Sequence, residues 1–546
     1  MAQAPYPQDY FRSPLDIQLV LSGTFAELRS NHFHSGLDIK TNGKQGLKVY
    51  TAADGYVSRI KISRFGYGKA LYITHPNGYT SVYAHLQKFS PKIEAFIKSK
   101  QYEKEQFEIE LFPNPNVLRI ETDELVAFSG NTGGSSGPHL HFEIRDKNSR
   151  PINPMLFGLD IKDTTPPELY HLYAYPLSDD SHIEGLHEKK KMRLIKQPNG
   201  NYKAEPIAAY GTIGFGIVAN DRQDYASNKN GLSKIETFFN GKKSIEVDFK
   251  RFSFSETKHI NRFIDYAHYR SKKQRIQKLF IEKNNPLSLF SYQEENGTLI
   301  ISDSTNSAYK INIKDFKNNK TTVQIPITGI FQDVSKNDSI PLHFTYVNAS
   351  ESRVLEDQSF RVEIPAYALY DDIHLDFKVK NDTLTIHESS VPLKKSITIT
   401  FDASRFEPND LAHLFIGRLS PYGRLYHTAT KRKGNTLTAR TKHFGRYTLG
   451  RDDEGPKITP IKFKNGSWLT KYRYLKVKIS DDISGIKNFR ATVNGKWILM
   501  EYDPKTKTLT HDFNDNVIKD IKNNLKLIVT DNVGNSSKFE LTFYRK

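Results

Sequence analysis

The chain of 546 residues contains no cysteine. Disulfides are excluded, and so are thiolate metal sites: a metal ion here has only histidine, aspartate and glutamate to hold it. Also missing is any apolar run near the ~20 residues that span a bilayer as a helix, so the chain is not expected to be transmembrane. The start, 1-MAQAPYPQDYF, has no apolar leader segment, so no signal peptide is expected in this chain. Met followed by Ala-Gln-Ala suits a start codon placed on a mature exported protein. Nor is there a block of one charge. The 79 basic and 61 acidic residues give a formal charge of +18, which favours an anionic partner or surface. The lysines are interrupted throughout by Asp and Glu, so no dedicated nucleic-acid site is expected.

What is abundant is aromatic: 29 Tyr and 34 Phe, many in short alternating runs that favour strands over helices. The length implies about three to four domains. Short strands such as 48-KVYTA, 56-YVSRIKI, 70-ALYITH and 79-YTSVYAHL, separated by glycine turns, make residues 1–163 one β-rich unit. A helical insertion is expected at about 90–117. Ser90 is its N-cap, Pro91 its first position, and Ile93, Phe96 and Ile97 form one face. A boundary falls at 162-KDTTPPELY. Beyond it 231-GLSKIETFFNGK and 485-GIKNFRATVNGK have the same spacing from glycine to Asn-Gly-Lys, and 302-SDSTNS and 530-TDNVGNS read as their matching turns. The expected fold class is mainly β: an N-terminal antiparallel β domain, then β-sandwich (Ig-like) modules at 164–329, 330–452 and 453–546. The acidic segments 481-DDISG and 531-DNVGN lack the ligand spacing of an EF-hand and read as β-turns.

The chemistry concentrates in the first unit. His34 and Asp38 are an even number of residues apart, so an extended segment puts both on one face. His139 and His141 alternate around Leu140 and share a face in the same way. His85 ends the strand 81-SVYAH. A hydrolytic zinc site uses three protein ligands and leaves one position open, so these segments together offer more donors than one ion needs. His32 and His75 read as neighbouring or turn-flanking residues.

At these residues the sequence resembles the LytM/lysostaphin-type zinc metallopeptidases, the M23 family. The segments 34-HSGLDI, 52-AADGYV, 66-GYGKALYITHPNGYTSVYAHL and 130-GNTGGSSGPHLHFEI carry the resemblance, in order, over about the first 160 residues. It implies a small antiparallel β fold with a groove, Zn2+ held by His34, Asp38 and His141, and an unliganded catalytic pair, His85 and His139. It also implies hydrolysis of peptide bonds in peptidoglycan and a place in the bacterial cell envelope, periplasmic or secreted. The stretch from 87-QKFSPK to 122-TDELVA is longer than a minimal member needs. A LytM-like scaffold would normally have lost metal or catalytic residues, and all five stand here. A zinc carboxypeptidase would tend to end in Glu-x-x-His where this chain has His-Leu-His. A peptidase acting on an envelope protein, or an envelope partner docked on the C-terminal modules, is compatible with the sequence.

Overall fold

The computed structural model describes residues 6–334 and 341–546, so the reading of Met-Ala-Gln-Ala lies outside the described residues. Strands hold 46% of the residues and helices 8%, which makes the fold mainly β. No described helix is long and apolar enough to cross a membrane.

The N-terminal unit is built on strands β1 (Leu21–Gly23), β2 (Leu37–Lys40), β3 (Gly55–Ile62), β4 (Lys69–Thr74), β5 (Thr80–Ala84), β6 (Ile109–Leu111) and β7 (His139–Arg145), in the sheet order β1-β2-β7-β5-β4-β3-β6. The central strand β7 lies antiparallel to β2 on one side and to β5 on the other, with His141 opposite Asp38 and Ala84. Its period of two sorts the side chains: Leu140, Phe142 and Ile144 are fully buried against the apolar core, while His139, His141, Glu143 and Arg145 face the other way. On β2, Leu37 and Ile39 likewise enter the core and leave Asp38 on the histidine face.

Helix α1 (Pro91–Lys104) interrupts this sheet. Ile93 and Ile97 are buried and proline starts the helix, as the sequence implies, but Ser90 makes no side-chain cap. Its hydroxyl is buried without a partner, and the nearby first-turn carboxylate of Glu94 instead accepts the Phe89 N–H at 3.0 Å. The Gln101 amide bonds Phe107 carbonyl oxygen at 2.7 Å and turns the chain back towards β6.

Downstream, strands β8 (Glu168–Pro176), β9 (Ile207–Asn220), β10 (Lys234–Phe239), β11 (Lys242–Asp248), β12 (Asn306–Lys314) and β13 (Lys320–Gly329) belong to a second sheet system. One apolar core runs through both systems, from Phe11 to Ile327. Phe252 seals it by packing on Phe25 and Phe33, with ring centroids 5.1 and 5.7 Å away. Two five-stranded sheets between Arg353 and Arg451 enclose a separate core, and a four- and a five-stranded sheet enclose the last one, Leu469 to Phe543.

That last part includes β14 (Tyr474–Ser480), β15 (Ile486–Val493), β16 (Lys496–Trp497), β17 (Lys522–Asp531) and β18 (Ser536–Tyr544), and it folds back onto the N-terminal unit. The Lys69 ammonium, 6% exposed, meets both Glu501 oxygens at 3.0 and 2.9 Å. Tyr102 of α1 donates to Asp515 at 2.8 Å and sets its ring edge-on to Trp497.

The internal repeat is visible in strand pairing. β10 pairs with β11 and β12; β15 pairs with β16 and β17. Both hairpins turn at Asn-Gly with positive φ at each residue, +47° and +84° in one copy, +50° and +80° in the other. Those values are what a two-residue type I′ turn demands. The next hairpins, β12–β13 and β17–β18, also correspond. The counterpart of 530-TDNVGNS is therefore 314-KDFKNNK, and the match to 302-SDSTNS is corrected. Turn composition misled there because SDSTNS precedes β12, whereas TDNVGNS follows β17.

Candidate metal centre

The sheet register brings His34, Asp38 and His141 together from positions up to 107 residues apart. Asp38 Oδ1 lies 3.0 Å from His34 Nε2 and 2.9 Å from His141 Nδ1, and the two nitrogens are 3.1 Å apart. Donors at ~2.0–2.2 Å from a tetrahedral zinc stand ~3.3 Å from one another, so the triangle is close to that of a bound ion.

Hydrogen bonds on the far side of each ring fix which nitrogen faces inward. His34 Nδ1 donates to the Thr24 carbonyl oxygen at 2.7 Å, which leaves its Nε2 with a lone pair. His141 Nε2 donates to Glu143 Oε1 at 2.8 Å, which leaves Nδ1 with one. With His141 neutral, three bases converge with no donor between them. A proton can satisfy two of them; a metal ion satisfies all three, and the donor set of two imidazoles and a carboxylate fits zinc. Burial disfavours the His141 cation, yet its hydrogen bonds to Asp38 and Glu143 outweigh that and push it up to about 9. Burial likewise opposes the Asp38 anion, and the surrounding histidines still hold it well below the usual carboxylate range. Metal binding must therefore displace a proton.

His85 and His139 stand beside this triangle, ring centroids 4.8 Å apart. His85 directly follows β5 with φ +57°, a left-handed backbone in a non-glycine residue, and that reversal turns its ring towards β7. Its Nδ1 donates to Thr132 carbonyl oxygen at 2.8 Å, and His139 Nδ1 donates to Gly137 carbonyl oxygen at 2.9 Å. Both rings therefore keep Nε2 free. Burial, with the neighbouring His141 and His139, pushes His85 down to about 3 and keeps it neutral. The loop that supplies Thr132 depends on glycine: a Cβ on Gly133 would sit 2.3 Å from Gly68 N, and Gly134 N–H bonds Gly66 carbonyl oxygen at 2.7 Å.

His32 is exposed and bonds Asn31. His75 is more than a turn-flanking residue. It is 3% exposed, with both nitrogens engaged by Asp54 carbonyl oxygen and Ser81 Oγ at 2.7 and 2.8 Å.

Sequence reasoning missed the groups that hold this site in place. Glu143 is fully buried. Its Oε1 accepts from His141 and, at 2.7 Å, from Ser35 Oγ; Tyr67 OH also bonds it, and Arg145 Nε donates to Oε2 at 2.6 Å. Arg145 and His141 keep Glu143 ionised against the cost of burial. The Tyr67 ring stacks on His141 at 5.1 Å. Arg29 binds the second Asp38 oxygen at 3.0 Å. One signal was present: residues 139, 141, 143 and 145 share a face by strand period. A Glu143→Gln protein is expected to bind zinc ~10–100-fold more weakly, the range for a partner that orients a metal-ligating histidine. Competition with a chromophoric chelator measures this, and unchanged affinity would count against the orienting role.

Comparisons with known proteins bear on the same residues. The signature of Peptidase family M23 matches residues 32–102, and that of a Zu5-like domain matches 344–452. The DD-carboxypeptidase/endopeptidase Mpg of Neisseria meningitidis is 33% identical over 138 residues, covering 25% of this chain and 26% of Mpg. An uncharacterized metalloprotease of Haemophilus influenzae is 31% identical over 156 residues, 28% of this chain and 27% of its own. The peptidoglycan DD-endopeptidase ShyA of Vibrio cholerae is 27% identical over 161 residues, 28% of this chain and 31% of ShyA. The match thus spans about a quarter to a third of the length of these curated relatives.

Proposed function

The N-terminal unit belongs to the M23 peptidase family, and from that premise we propose that the chain is a zinc-dependent metalloendopeptidase of the bacterial cell envelope that hydrolyses peptide bonds in peptidoglycan. The observation that carries this reading is the convergence of His34, Asp38 and His141 lone pairs beside two further imidazoles with free Nε2 atoms. The names of the relatives Mpg and ShyA support the substrate class. The division into 1–163, 164–329, 330–452 and 453–546 is proposed with it. The first part acts, and the β modules position it.

In this reading His34 Nε2, Asp38 Oδ1 and His141 Nδ1 hold the ion. Bound zinc supplies Lewis acidity and lowers the pKa of a coordinated water. The protein does the rest. Thr24 and Glu143 lock the two imidazoles in the tautomers that leave their lone pairs inward. His85 and His139, each anchored through Nδ1, present Nε2 to accept a proton from the attacking water or return one to the leaving amine. Arg29 occupies the outer oxygen of Asp38 and so directs Oδ1 inward.

The test is digestion of defined muropeptides by the zinc-loaded full chain, read by mass spectrometry. Cleavage within a stem peptide or cross-link is expected. A zinc-loaded protein that cuts none of them would overturn the substrate and favour a scaffold or an envelope-protein substrate.

A further inference from the structure

A second acidic group lies away from the histidines, where the chain leaves the N-terminal unit. Asp163 in the linker, Asp221 directly after β9 and Asp315 directly after β12 each offer one oxygen, all within 4.8 Å of one another. Asp221 and Asp315 are 4% and 2% exposed. Among the described residues, no lysine, arginine or histidine pairs with any of the three.

Their hydrogen bonds are unequal. Asp315 accepts from Asn319 N–H and side-chain amide at 2.8 and 2.6 Å, and Asp163 accepts from Thr165 N–H at 3.1 Å. Asp221 Oδ1 is buried with no partner at all. Asp163 and Asp221 line a small cavity of about 20 Å³, above the ~10–15 Å³ that one water needs. Asn230 lines the same cavity. It is 1% exposed, and its Nδ2 has no partner either. The Asn230 Oδ1 accepts from Asn228 Nδ2 at 2.9 Å and Asn228 Oδ1 has no partner, so flipping both amides keeps a bond between them and turns the Asn230 oxygen into that space. Burial and the adjacent Asp163 and Asp315 carboxylates push Asp221 up to about 8.

The repeat supplies an internal comparison. Asp452, Asp481 and Asp531 form the same group in the last module, at corresponding points in linker, strand end and hairpin. There the Asp531 Oδ1 accepts N–H bonds from Val533, Gly534 and Asn535, and Asp452 and Asp481 also accept backbone N–H groups. Each carboxylate in that copy accepts at least one backbone N–H, and the turn reading of those segments fits it. In the first copy the Asp221 Oδ1 is left without a partner.

From this geometry we infer that Asp163, Asp221 and Asp315 hold a hard divalent cation of the calcium class, with Asn230 as a neighbouring oxygen donor. An all-oxygen donor set without imidazole selects such an ion over zinc. Its position gives it a structural task. The segment from Asp221 leads to Gly231, whose N–H bonds Thr24 Oγ1 at 2.8 Å, and Thr24 carbonyl oxygen fixes His34. A cation there ties linker and loop together behind the histidine site.

The experiment is calorimetric titration of the zinc-loaded full chain with calcium chloride at pH 7, in wild type, Asp221→Asn and Asp163→Asn. The substitutions keep side-chain size, and melting in calcium-free buffer and zinc content verify folding. Each variant is expected to bind one calcium ion fewer per chain than wild type. The calcium-dependent rise in Tm should shrink with it. In calcium-free buffer Asp221→Asn should melt no lower than wild type, because the amide removes an uncompensated buried carboxyl. Equal calcium stoichiometry in wild type and the folded variants, zero included, overturns the inference.

Discussion

An Asp38→Ala protein is expected to purify without zinc and to lose peptidase activity to background. Asp38 Oδ1 is the shared corner of the site, in contact with His34 and His141 at 3.0 and 2.9 Å. Its removal leaves His34, His141 and the Arg29 guanidinium, which bonded Oδ2 and then keeps only Glu27, 3.3 Å away, as a carboxylate partner beside the site. Loss of one anionic donor and exposure to that cation act in the same direction. Because altering an outer partner alone costs ~10–100-fold in metal affinity, deleting a ligand should cost more than ~100-fold. Elemental analysis of the purified protein and chelator competition measure the loss. Asp38→Asn separates charge from size, since it keeps an oxygen in place and should still bind zinc poorly. A fully zinc-loaded Asp38→Ala protein would remove Asp38 from the ligand set.

His139→Ala is expected to do the opposite at the metal and the same at the substrate: zinc retained, kcat lower by ~10²–10⁴, the range for a positioned general acid or base. That corresponds to about 3–5 kcal/mol in the barrier. His139 Nε2 is buried and has no hydrogen-bond partner, although Asp38 Oδ1 lies 3.3 Å away outside bonding geometry. A buried polar atom left unpaired is costly unless substrate or water completes it. Its Nδ1 is already committed to Gly137, so proton traffic at this ring runs through Nε2. His85→Ala should show the same separation of metal content from turnover. If the two rings act as a unit, the double variant should be little slower than either single one. Normal turnover in a zinc-loaded His139→Ala protein would sink the proposed mechanism.

How far the sequence carries can be followed residue by residue. The mainly β fold was legible because alternation is a local property: a strand places every second side chain on one face wherever it lies. The faces of 37-LDIK and 139-HLHFEIR, the helix begun by Pro91 and both Asn-Gly hairpins follow from that or from equally local turn geometry. Ser90 shows the limit even for local rules, because its position matched a cap while the buried hydroxyl found no N–H to accept from. The repeat was legible in its Gly-to-Asn-Gly spacing. Its third loop was misassigned, because correspondence between loops is set by which strands pair.

By itself, then, the sequence determined which side chains share a face, which chemistries lack their donors, and which five histidine and aspartate positions can meet in one site. Only the tertiary structure decided what surrounds them. That Glu143 fixes His141, that Thr24 links His34 to Gly231, and that Glu501 covers Lys69 depends on the path of chain between distant segments. The clustering of Asp163 with Asp221 and Asp315 depends on it too. Local periodicity fixes the direction of a side chain relative to its own strand, whereas the partner it meets is fixed by packing of cores that involve residues hundreds of positions apart.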